Sequence, residues 1–300
     1  MTKISIITPT LNRAALLKEA IHSVLIQNFD DLEHIIIDNG SEDGTVEMVD
    51  KLSSEYGHIK LLTEPVRNYA RAFNTGLKAA TGEIIIYLAD DDLLPPHAVH
   101  CIHTVHELDK PDIIAGGATV LKEAAGTWVP VKEVYPKCSL YHLLFHTPYE
   151  PSKIVRRTMI ERVGYWNDEY GFAAHREWLI RLVVSGAKVK HINKVIYLLR
   201  AHKGSATLKQ DQFKALGWIP AHLKIARKYL TTIRDEEAKK LFKEWSNRQA
   251  IFGAKLAVKK NQLRKALSIL CAGLVNDPTM PIYWWHNFIL RRIIRSSASE

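Results

Sequence analysis

Cysteine is scarce in this chain of 300 residues, and its positions exclude two kinds of stabilised fold. The three cysteines are widely spaced and odd in number, and no Cys-x-x-Cys pair occurs; they are Cys101, Cys138 and Cys271. A disulfide framework or a zinc knuckle needs closely spaced cysteine pairs. The sequence therefore excludes both as organising features, and the sparse thiols indicate a reducing compartment.

Long hydrophobic runs are also absent. No stretch approaches the roughly 18 uncharged apolar residues that would predict a membrane span. The N-terminus carries no secretory signal, because Ile4-Ser5-Ile6-Ile7 already has the pattern of a strand and no cleavage site of small residues follows an apolar run. We therefore expect a cytoplasmic protein, at most peripheral on the inner face of a membrane.

The body of the chain has little net charge, and the basic residues are concentrated towards its end. Hydrophobic residues make up 47% and charged residues 24% of the sequence, as in ordinary globular proteins. The formal net charge is +9, and residues 210–300 alone contain 17 Lys and Arg against seven Asp and Glu. This basic region suits anionic lipid, nucleic acid or a partner protein.

The first 120 residues alternate between the periodicities of strands and helices. Short β-rich runs occur at 4–8, 34–38, 59–63, 83–88 and 112–118, with helical patterns at 14–27, 45–54, 70–80 and 95–108. Alternation at this spacing predicts right-handed crossovers and a sheet covered on both faces. We therefore predict an α/β fold with a mostly parallel mixed sheet.

A change of pattern divides the chain into two parts. Prolines interrupt residues 122–151, so no long element is predicted there. A helical pattern at 176–185 and a β-rich run at 188–199 follow, after which the strands stop. The rest has the pattern of three or four amphipathic helices with basic polar faces. We predict a first domain over residues 1–207 and a C-terminal α-helical extension over residues 208–300.

An acidic triplet follows the apolar strand predicted at 83–88. Ligands of open α/β sheets bind at the carboxyl ends of the strands, and Asp90, Asp91 and Asp92 stand at such an end. Mg²⁺ and Mn²⁺ take one or two carboxylates together with substrate phosphates, and they neutralise a leaving diphosphate. The alternative is that one aspartate caps the helix that begins near Leu94. Capping explains one aspartate but not three, so the triplet favours a cation site.

Two further residues near the predicted strand ends each have two interpretations. Asp38 ends an apolar strand before a glycine-containing loop, where a carboxylate can accept a hydrogen bond from a base or ribose, or can close a local turn. Arg71 lies in a helical pattern, either as a phosphate ligand or as a solvated helix charge. The sequence leaves both alternatives open.

Three residues later in the chain are candidates for acid–base or ligand chemistry. His175 and Glu177 open a predicted helix, and either side chain can act as a base when it lies near an acceptor hydroxyl. Glu177 can instead form a simple ion pair with Arg181, four residues on. His202 stands in a polar loop after the last predicted strand, where a histidine is often only solvated.

Motifs in a fixed order run through about two thirds of the chain. They are Ser5-Ile6-Ile7-Thr8-Pro9-Thr10-Leu11-Asn12-Arg13, Ile35-Ile36-Ile37-Asp38-Asn39-Gly40-Ser41-Glu42-Asp43-Gly44-Thr45, Asn68-Tyr69-Ala70-Arg71-Ala72-Phe73-Asn74-Thr75-Gly76, Ala80-Thr81-Gly82-Glu83, Leu88-Ala89-Asp90-Asp91-Asp92, Trp178-Leu179-Ile180-Arg181-Leu182 and Leu199-Arg200-Ala201-His202-Lys203-Gly204-Ser205. Together they resemble the family 2 glycosyltransferases, whose catalytic domain has the nucleotide-sugar-binding GT-A fold.

The resemblance implies a donor site. By this similarity Pro9, Asp38 and Arg71 line the nucleotide site, and Asp90 lies near the ribose or the sugar. The implied donor is a nucleotide-sugar, with a UDP-sugar favoured and GDP- or dTDP-sugars as alternatives. The usual chemistry of the family is inversion, in which one in-line displacement at the anomeric carbon accompanies deprotonation of the acceptor hydroxyl.

The resemblance also implies a divalent cation. Asp91 is the implied principal ligand of Mn²⁺ or Mg²⁺, and His202 is a further ligand or a diphosphate contact. The family often has Leu-Asp-x-Asp-Asp at this point, whereas this chain has Ala89 in place of the first aspartate. The acidic motif is therefore shifted to Asp90 and Asp91.

The second departure from the family concerns the base. The family normally places an aspartate two residues before a second acidic residue, and in that register the position holds His175, with Glu177 as the second acid. A neutral imidazole can accept a proton at pH 7. We therefore predict His175 as the base, with Glu177 as the alternative. The competing hypothesis is a non-catalytic nucleotide-sugar-binding module.

The basic C-terminal region suggests where the acceptor is found. Tyr283-Trp284-Trp285 and Phe288-Ile289-Leu290 precede Arg291-Arg292-Ile293-Ile294-Arg295, a combination suited to an anionic membrane surface. The same residues could instead pack on the body or across a homodimer. Nucleic-acid binding is the weaker hypothesis, because no recognition motif accompanies the charge. The predicted acceptor is a glycan or lipid-linked intermediate of cell-surface polysaccharide synthesis.

Overall fold

Two compact units make up the chain, Met1–Lys209 and Gln210–Glu300. The computed structural model describes residues 2–146, 150–202, 204 and 215–282. Most residues around the predicted boundary at 207 lie outside these ranges. The functional division at that point therefore stays a prediction.

Eight strands form one sheet in the first unit. They are β1 (Ile4–Thr10), β2 (Leu32–Asp38), β3 (Ile59–Thr63), β4 (Ile84–Tyr87), β5 (Ile113–Ala124), β6 (Thr127–Val134), β7 (Lys153–Arg156) and β8 (Val189–Ala201). The order is β3-β2-β1-β4-β7-β5-β6, with β8 paired to β5. The strands β3-β2-β1-β4 are parallel, and β8 is parallel to β5, whereas β7 is antiparallel to both neighbours. The predicted mixed, mostly parallel α/β sheet is confirmed.

Helices connect these strands. They are α1 (Ala14–Leu25), α2 (Thr45–Glu55), α3 (Tyr69–Ala79), α4 (Ala98–Asp109), α5 (Leu140–Phe145), α6 (Thr158–Val163) and α7 (Ala174–Val184), with short 3-10 helices at Glu150–Ser152 and Asp168–Ala173. Every position of β1, β2 and β4 is buried. Burial on both faces explains the apolar runs within these strands, such as Ile35-Ile36-Ile37 in β2 and Ile84-Ile85-Ile86 in β4.

One close contact fixes α3 against the sheet. A Cβ added to Gly76 in α3 would lie 2.4 Å from Ile7 Cγ2 and 2.7 Å from Ile37 Cδ1. Only glycine therefore allows the helix backbone to approach β1 and β2 this closely. Ile7 is central in β1 and Ile37 is one position before the end of β2, so this packing fixes α3 against the sheet on the side from which its first turn reaches the edge with the candidate residues.

Residues 122–151 contain more regular structure than the prolines predicted. β5 continues to Ala124, and a turn through Ala125 and Gly126, both with positive φ, leads into β6. Pro130 is tolerated because β6 is the edge strand and its register with β5 shifts between Val120 and Leu121, beside the proline. β6, α5 and the four-residue β7 were not predicted from the sequence.

Three helices form the described part of the second unit and confirm the C-terminal helical extension. They are α8 (Ala215–Thr232), α9 (Glu236–Lys259) and α10 (Leu263–Asn276). Leu216 and Ile219 of α8, Ala250 of α9 and Ile269 of α10 are buried together in their common core. Of the helices in the described ranges, none has the length and apolar character that a membrane crossing demands. The aromatic and basic run at 283–295 lies outside the described residues.

Candidate active site

The candidate residues converge on the edge of the sheet where β1, β2 and β4 end. β1 pairs with both other strands in parallel, so their carboxyl ends lie side by side. Thr10 and Asp38 are partners in the β1–β2 register at this edge. The residues after β4, Ala89 to Asp92, form what we call the acidic turn. This is the edge at which ligands bind in open α/β sheets.

Asp38 organises the loop after β2. Its buried carboxylate accepts hydrogen bonds from the backbone N–H of Gly40 at 3.0 Å and of Ser41 at 3.2 Å. The Asn39 side-chain amide donates to the carbonyl of Glu64 at 2.8 Å, which ties this loop to the one after β3. Asp38 therefore makes the turn contacts that the sequence offered as one of its two interpretations.

Pro9 lies within β1 and is buried. It is the partner of Ile37 in the β1–β2 register, one position before the strand ends. The position places Pro9 directly beside the end of β2. Its predicted contact with the nucleotide stays a prediction.

Arg71 is paired across the chain with a residue that the sequence analysis did not single out. It lies in the first turn of α3, half exposed, and its Nε donates to the carboxylate of Asp168. Asn68 caps α3 by accepting hydrogen bonds from the backbone N–H of Ala70 and Arg71. The only signal in the sequence was the Asn167-Asp168-Glu169 run, which is typical of a helix start.

Asp90 is held between a hydroxyl and a guanidinium. Its carboxylate accepts from Thr10 Oγ1 at 2.9 Å and from Arg13 Nη1 at 3.1 Å. Burial raises the pKa of Asp90 to about 6; Arg13 opposes the rise and the negative charge of Asp91 adds to it. Thr10 and Arg13 belong to the first of the motifs that resemble family 2, but no pattern along the chain assigns either residue to the acidic turn.

Asp91 meets two donors at one oxygen. Arg13 Nη1 and His202 Nε2 both contact Oδ2 of Asp91, the histidine at 3.1 Å. The backbone N–H of Gly204 donates to His202 Nδ1 at 3.0 Å. With Nδ1 accepting, a neutral ring has its proton on Nε2 and donates to Asp91, so the ring would have to take its other tautomer before Nε2 could bind a cation. The structure thus brings together the two residues predicted as metal ligands.

Asp92 turns away from this pair and is fully enclosed. Its carboxylate accepts from the Tyr197 hydroxyl and from the Arg200 backbone N–H, each at 2.8 Å. Burial raises the pKa of Asp92 well above its usual range, and the charge of Asp91 raises it further. The three aspartates therefore have different surroundings, and Asp92 is a structural anchor between the acidic turn and β8.

Arg200 is a buried positioning residue that the sequence analysis did not identify. Its Nη1 donates to Glu19 Oε2 at 2.6 Å, Nη2 donates to the Leu16 carbonyl at 3.0 Å, and Nε donates to the Asp91 carbonyl. One guanidinium thus joins β8, α1 and the acidic turn. Arg200 stands in a quoted motif, yet nothing in its neighbours along the chain indicates burial.

His175 lies in a cluster of aromatic rings. The imidazole stacks on Trp166, with ring centroids 4.6 Å apart, and meets the edge of Tyr87 at 5.3 Å. Burial lowers the pKa of His175 to about 3, and the positive charge of Lys153 lowers it further. The ring is therefore neutral at physiological pH, but its burial makes it a weak base.

Glu177 is also buried, and it pairs with Arg181. Oε2 of Glu177 accepts from Arg181 Nε at 2.9 Å. The same guanidinium donates to the carbonyls of Val163 and Tyr165. This is the i,i+4 ion pair that the sequence offered as the alternative to catalysis, although in the structure it is buried rather than on the surface.

Asp91 and His202 suit a divalent cation that takes some of its ligands from the protein and the rest from a substrate. Within the described ranges, no three His, Cys, Asp or Glu side chains are arranged to hold a metal by themselves. Asp91 Oδ2 and His202 Nε2 nevertheless lie 3.1 Å apart at the strand ends. Mg²⁺ and Mn²⁺ usually take few protein ligands and complete their shell with phosphate oxygens and water. One carboxylate and one imidazole fit that requirement.

Curated proteins with similar sequences are glycosyltransferases. The profile described as Glycosyl transferase family 2 matches residues 5–181. An uncharacterized glycosyltransferase of Nostoc is 34% identical over 131 residues, and the match covers 41% of either chain. The GalNAc(5)-diNAcBac-PP-undecaprenol beta-1,3-glucosyltransferase of Campylobacter jejuni is 41% identical over 98 residues, or 31% of either chain. The chain therefore matches less than half the length of these two relatives.

Solved structures extend the likeness along the chain. S. aureus TarS 1–349 in complex with UDP has a TM-score of 0.63 at 16% identity, with 95% of this chain and 92% of that chain covered. The mannosyltransferase PcManGT of Pyrobaculum calidifontis, solved with GDP-Man and Mn²⁺, has a TM-score of 0.57 at 19% identity, with 96% and 80% covered. At these identities the likeness concerns the fold alone.

The family profile begins at β1 and ends within α7, so it includes the acidic turn and both candidate bases. It covers more than half of the chain. This chain belongs to glycosyl transferase family 2 and has the nucleotide-sugar-binding GT-A fold.

Proposed function

We propose that the chain is a metal-dependent inverting glycosyltransferase that moves a sugar from a nucleotide-sugar to a hydroxyl of a glycan or lipid-linked acceptor in cell-surface polysaccharide synthesis. The observation that carries this proposal is the acidic turn, where Asp91 and His202 lie together at the ends of β1 and β4. Family membership supports the reaction class.

The proposed donor site lies beside the acidic turn. Pro9, Asp38 and Arg71 line the nucleotide side in this proposal, and Asp90 lies near the ribose or sugar. The positions of Pro9 and Asp38 at adjacent strand ends support this assignment. A UDP-sugar is the favoured donor because TarS was solved with UDP and with UDP-GlcNAc. GDP- and dTDP-sugars remain alternatives, since PcManGT was solved with GDP-Man and Mn²⁺.

Asp91 and His202 are the proposed ligands of Mn²⁺ or Mg²⁺. When bound, such a cation neutralises charge on the departing nucleoside diphosphate. Arg200 and Asp92 keep the acidic turn in place through their bonds to α1 and β8. In this arrangement a cation can bind Asp91 without movement of Asp92, but it has to displace Arg13 from Oδ2 of Asp91.

His175 is the proposed base, with Glu177 as the alternative. The register of His175 and its neutral ring support this role, because only an unprotonated imidazole can accept a proton from an acceptor hydroxyl. Its weak basicity and the Glu177–Arg181 ion pair favour the competing function, a nucleotide-sugar-binding module without turnover. Measured transfer or donor hydrolysis separates the two functions.

A lipid-linked acceptor has support from one relative. The Campylobacter jejuni protein is named for transfer to an undecaprenol-diphosphate-linked glycan. An acceptor of this kind would place the chain at the cytoplasmic side of a membrane, as a peripheral protein. A homodimer contact through residues 208–300 is the alternative role for that region, and nucleic acid is the weakest partner hypothesis.

A thermal-shift panel tests the proposed function. Wild type, Asp91→Asn and Asp92→Asn are melted with UDP-, GDP- and dTDP-sugars, each with and without Mn²⁺. Asp92→Asn is the matched control, because it makes the same chemical change one residue away, at a side chain bound to Tyr197 and Arg200. We expect Asp92→Asn to melt earlier but to keep a donor shift that depends on Mn²⁺, and Asp91→Asn to lose that dependence.

Two results would count against the proposal. If the donor still raises the melting temperature of Asp91→Asn in a manner that depends on Mn²⁺, the acidic turn is not the cation site. Donor binding by the wild type without transfer or hydrolysis, across a panel of acceptors, would establish the binding-module function instead.

A further inference from the structure

An exposed apolar surface runs along α10 in the second unit. Leu263 is 64% exposed, Leu267 is 62% exposed and Val275 is 59% exposed. Leu263 and Leu267 are separated by one helical turn, so their side chains are neighbours on the helix. We call Leu263, Leu267 and Val275 the α10 surface. Isolated exposed leucines are common, but Leu274, which is 38% exposed, lies seven residues after Leu267 on the same side of the helix, so the exposed leucines of α10 form a row.

The opposite side of α10 is fully used in the core of this unit. Ala266, Ile269 and Gly273 are buried. A Cβ added to Gly273 would lie 2.5 Å from Ala250 Cβ of α9 and 2.9 Å from Met280 Sδ. Because this side already packs at close contact, α10 cannot rotate to bury its exposed leucines. The exposure is therefore built into the packing of the three helices.

Basic side chains border the α10 surface. Lys259, Arg264 and Lys265 are all exposed. Between residues 258 and 282 the sequence has one acidic residue, Asp277, and it is buried. Its carboxylate accepts from Asn247 Nδ2 at 2.6 Å and pairs with Lys243 Nζ at 3.1 Å. The exposed charge around the leucines is therefore uniformly positive.

We propose that the α10 surface binds an anionic phospholipid surface, with α10 lying in the interface and its leucines among the acyl chains. An apolar stripe bordered by Lys and Arg is what such binding requires, because burial and attraction to acidic headgroups act together. The helix has 14 residues and is about 21 Å long, too short to cross a bilayer but long enough to lie on one.

The same charges disfavour a second copy of the chain as the occupant. A two-fold contact through α10 would bring a second set of the same basic side chains to a surface that has no exposed acidic residue between 258 and 282 to pair with them. Like charges at such a contact repel and must lose water. Lipid binding does not require sugar transfer, so the inference is independent of the proposed reaction.

Vesicle co-sedimentation of the full chain tests the inference. One set of vesicles contains equal parts phosphatidylglycerol and phosphatidylcholine, and the other contains phosphatidylcholine alone. The test variant is Leu263→Glu with Leu267→Glu. The matched control is Leu108→Glu, which makes the same change at a leucine in α4 that is 79% exposed. Circular dichroism and thermal melting confirm that each variant is folded.

We expect wild type and Leu108→Glu to bind the anionic vesicles, and the double variant to lose at least about tenfold in partitioning, since two buried leucines are replaced by two repelled charges. Binding to phosphatidylcholine alone is expected to be much weaker. Equal sedimentation of the double variant and wild type would overturn the inference. So would a wild-type dimer in light scattering that becomes monomeric in the double variant, because the leucines would then bind a second copy.

The result is separable from the proposed reaction. Donor binding in the thermal-shift panel is expected to be the same for wild type and the double variant. Loss of vesicle binding with donor binding retained supports the α10 surface even if no sugar transfer is found. Retained vesicle binding overturns it even if transfer is confirmed.

Discussion

Arg13 contacts both the carboxylate of Asp90, in the proposed donor site, and the carboxylate of Asp91, in the proposed cation site. One nitrogen of its guanidinium contacts Asp90 at 3.1 Å and also contacts Asp91 Oδ2, the oxygen that His202 contacts. A divalent cation bound to that oxygen would have to compete with the guanidinium for it. Arg13 thus acts as an internal counter-charge for the acidic turn.

The substitution Arg13→Gln should strengthen cation binding in the absence of nucleotide. Removing a charge-assisted bond from Asp91 should lower the Kd for Mn²⁺ by about tenfold, equivalent to about 1.4 kcal/mol. Isothermal titration calorimetry or the electron paramagnetic resonance of free Mn²⁺ measures this directly. Arg248→Gln is the control, because it removes an equal charge from an exposed ion pair with Glu244 in α9.

Two failures of this prediction have different meanings. Unchanged Mn²⁺ affinity in Arg13→Gln, together with its loss in Asp91→Asn, would show that the cation and Arg13 occupy Asp91 without competing. Unchanged affinity in Asp91→Asn would instead show that the cation binds elsewhere.

At the scale of elements, Glu33 joins three strands and the turn before a fourth. Its buried carboxylate accepts from Ser5 Oγ in β1 at 2.7 Å, from Lys60 Nζ in β3 at 2.7 Å, and from both the backbone N–H and the hydroxyl of Thr81. Burial alone would raise the pKa of Glu33, but the bonds from Lys60, Ser5 and Thr81 outweigh it and hold the pKa at about 2.

Glu33 should make the free energy of unfolding depend on pH in the acid range. Since the folded pKa is below the usual 4.5, the ionised carboxylate stabilises the fold above that pH, and the contribution is lost as the pH falls towards 2. When the free energy of unfolding is measured in urea at pH 6 and at pH 2, it should fall by up to about 3 kcal/mol more in wild type than in Glu33→Gln. Glu123→Gln, an exposed carboxyl in β5, should keep the wild-type slope. Parallel curves for wild type and Glu33→Gln would contradict this role.

The elements differ in how well the sequence predicts them. β4 is continuously apolar, and β1 and β2 contain the apolar runs Ile6-Ile7 and Ile35-Ile36-Ile37, because all three strands are buried on both faces. The helices α1 to α4 lie between strands at regular spacing, so these patterns could be read directly from the sequence. β6 was hidden by Pro130, which only an edge strand with a shifted register tolerates. β7 was missed because it is short and takes its place from antiparallel neighbours distant in the chain.

The candidate site was predictable in its parts but not in its pairings. The strand-end positions of Asp38, Asp90 and Asp91 follow from apolar runs that stop at acidic residues. Arg13 and Asp90 are separated by 77 positions in the chain, and Arg71 and Asp168 by 97 positions. Strand and helix patterns relate residues only a few positions apart, so they do not predict these pairs. The same limit applies to the burial of His175, which depends on where Trp166 lies.

On the scale of the whole molecule, each unit has its own buried core. Ile6 and Ile86 belong to the core of the sheet, whereas Leu223 and Ile269 belong to the core of the helices. The residues proposed to bind donor and cation all come from the first unit. A ligand stabilises the part of a protein whose native state it binds.

Hydrogen exchange should therefore respond to the donor in one unit. With UDP-sugar and Mn²⁺, we expect slower exchange in the segments after β1, β2 and β4, and unchanged exchange in α9 and α10. Mass spectrometry of peptic peptides measures both in one experiment, and Asp91→Asn provides the control without cation-dependent protection. Slower exchange throughout α9 and α10 would show that the second unit also responds to the donor.

The position of Gly204 restricts which side chains can stand beside His202 at the acidic turn. A methyl group there would lie 2.8 Å from Cε1 and 2.9 Å from Nδ1 of His202, so even alanine would force the imidazole that contacts Asp91 to shift. By contrast, Gly217 in α8 has open space at the same atom. Chains that replace Gly204 should therefore hold the imidazole of His202 in a different position against Asp91, so this one backbone position constrains the geometry of the proposed cation site.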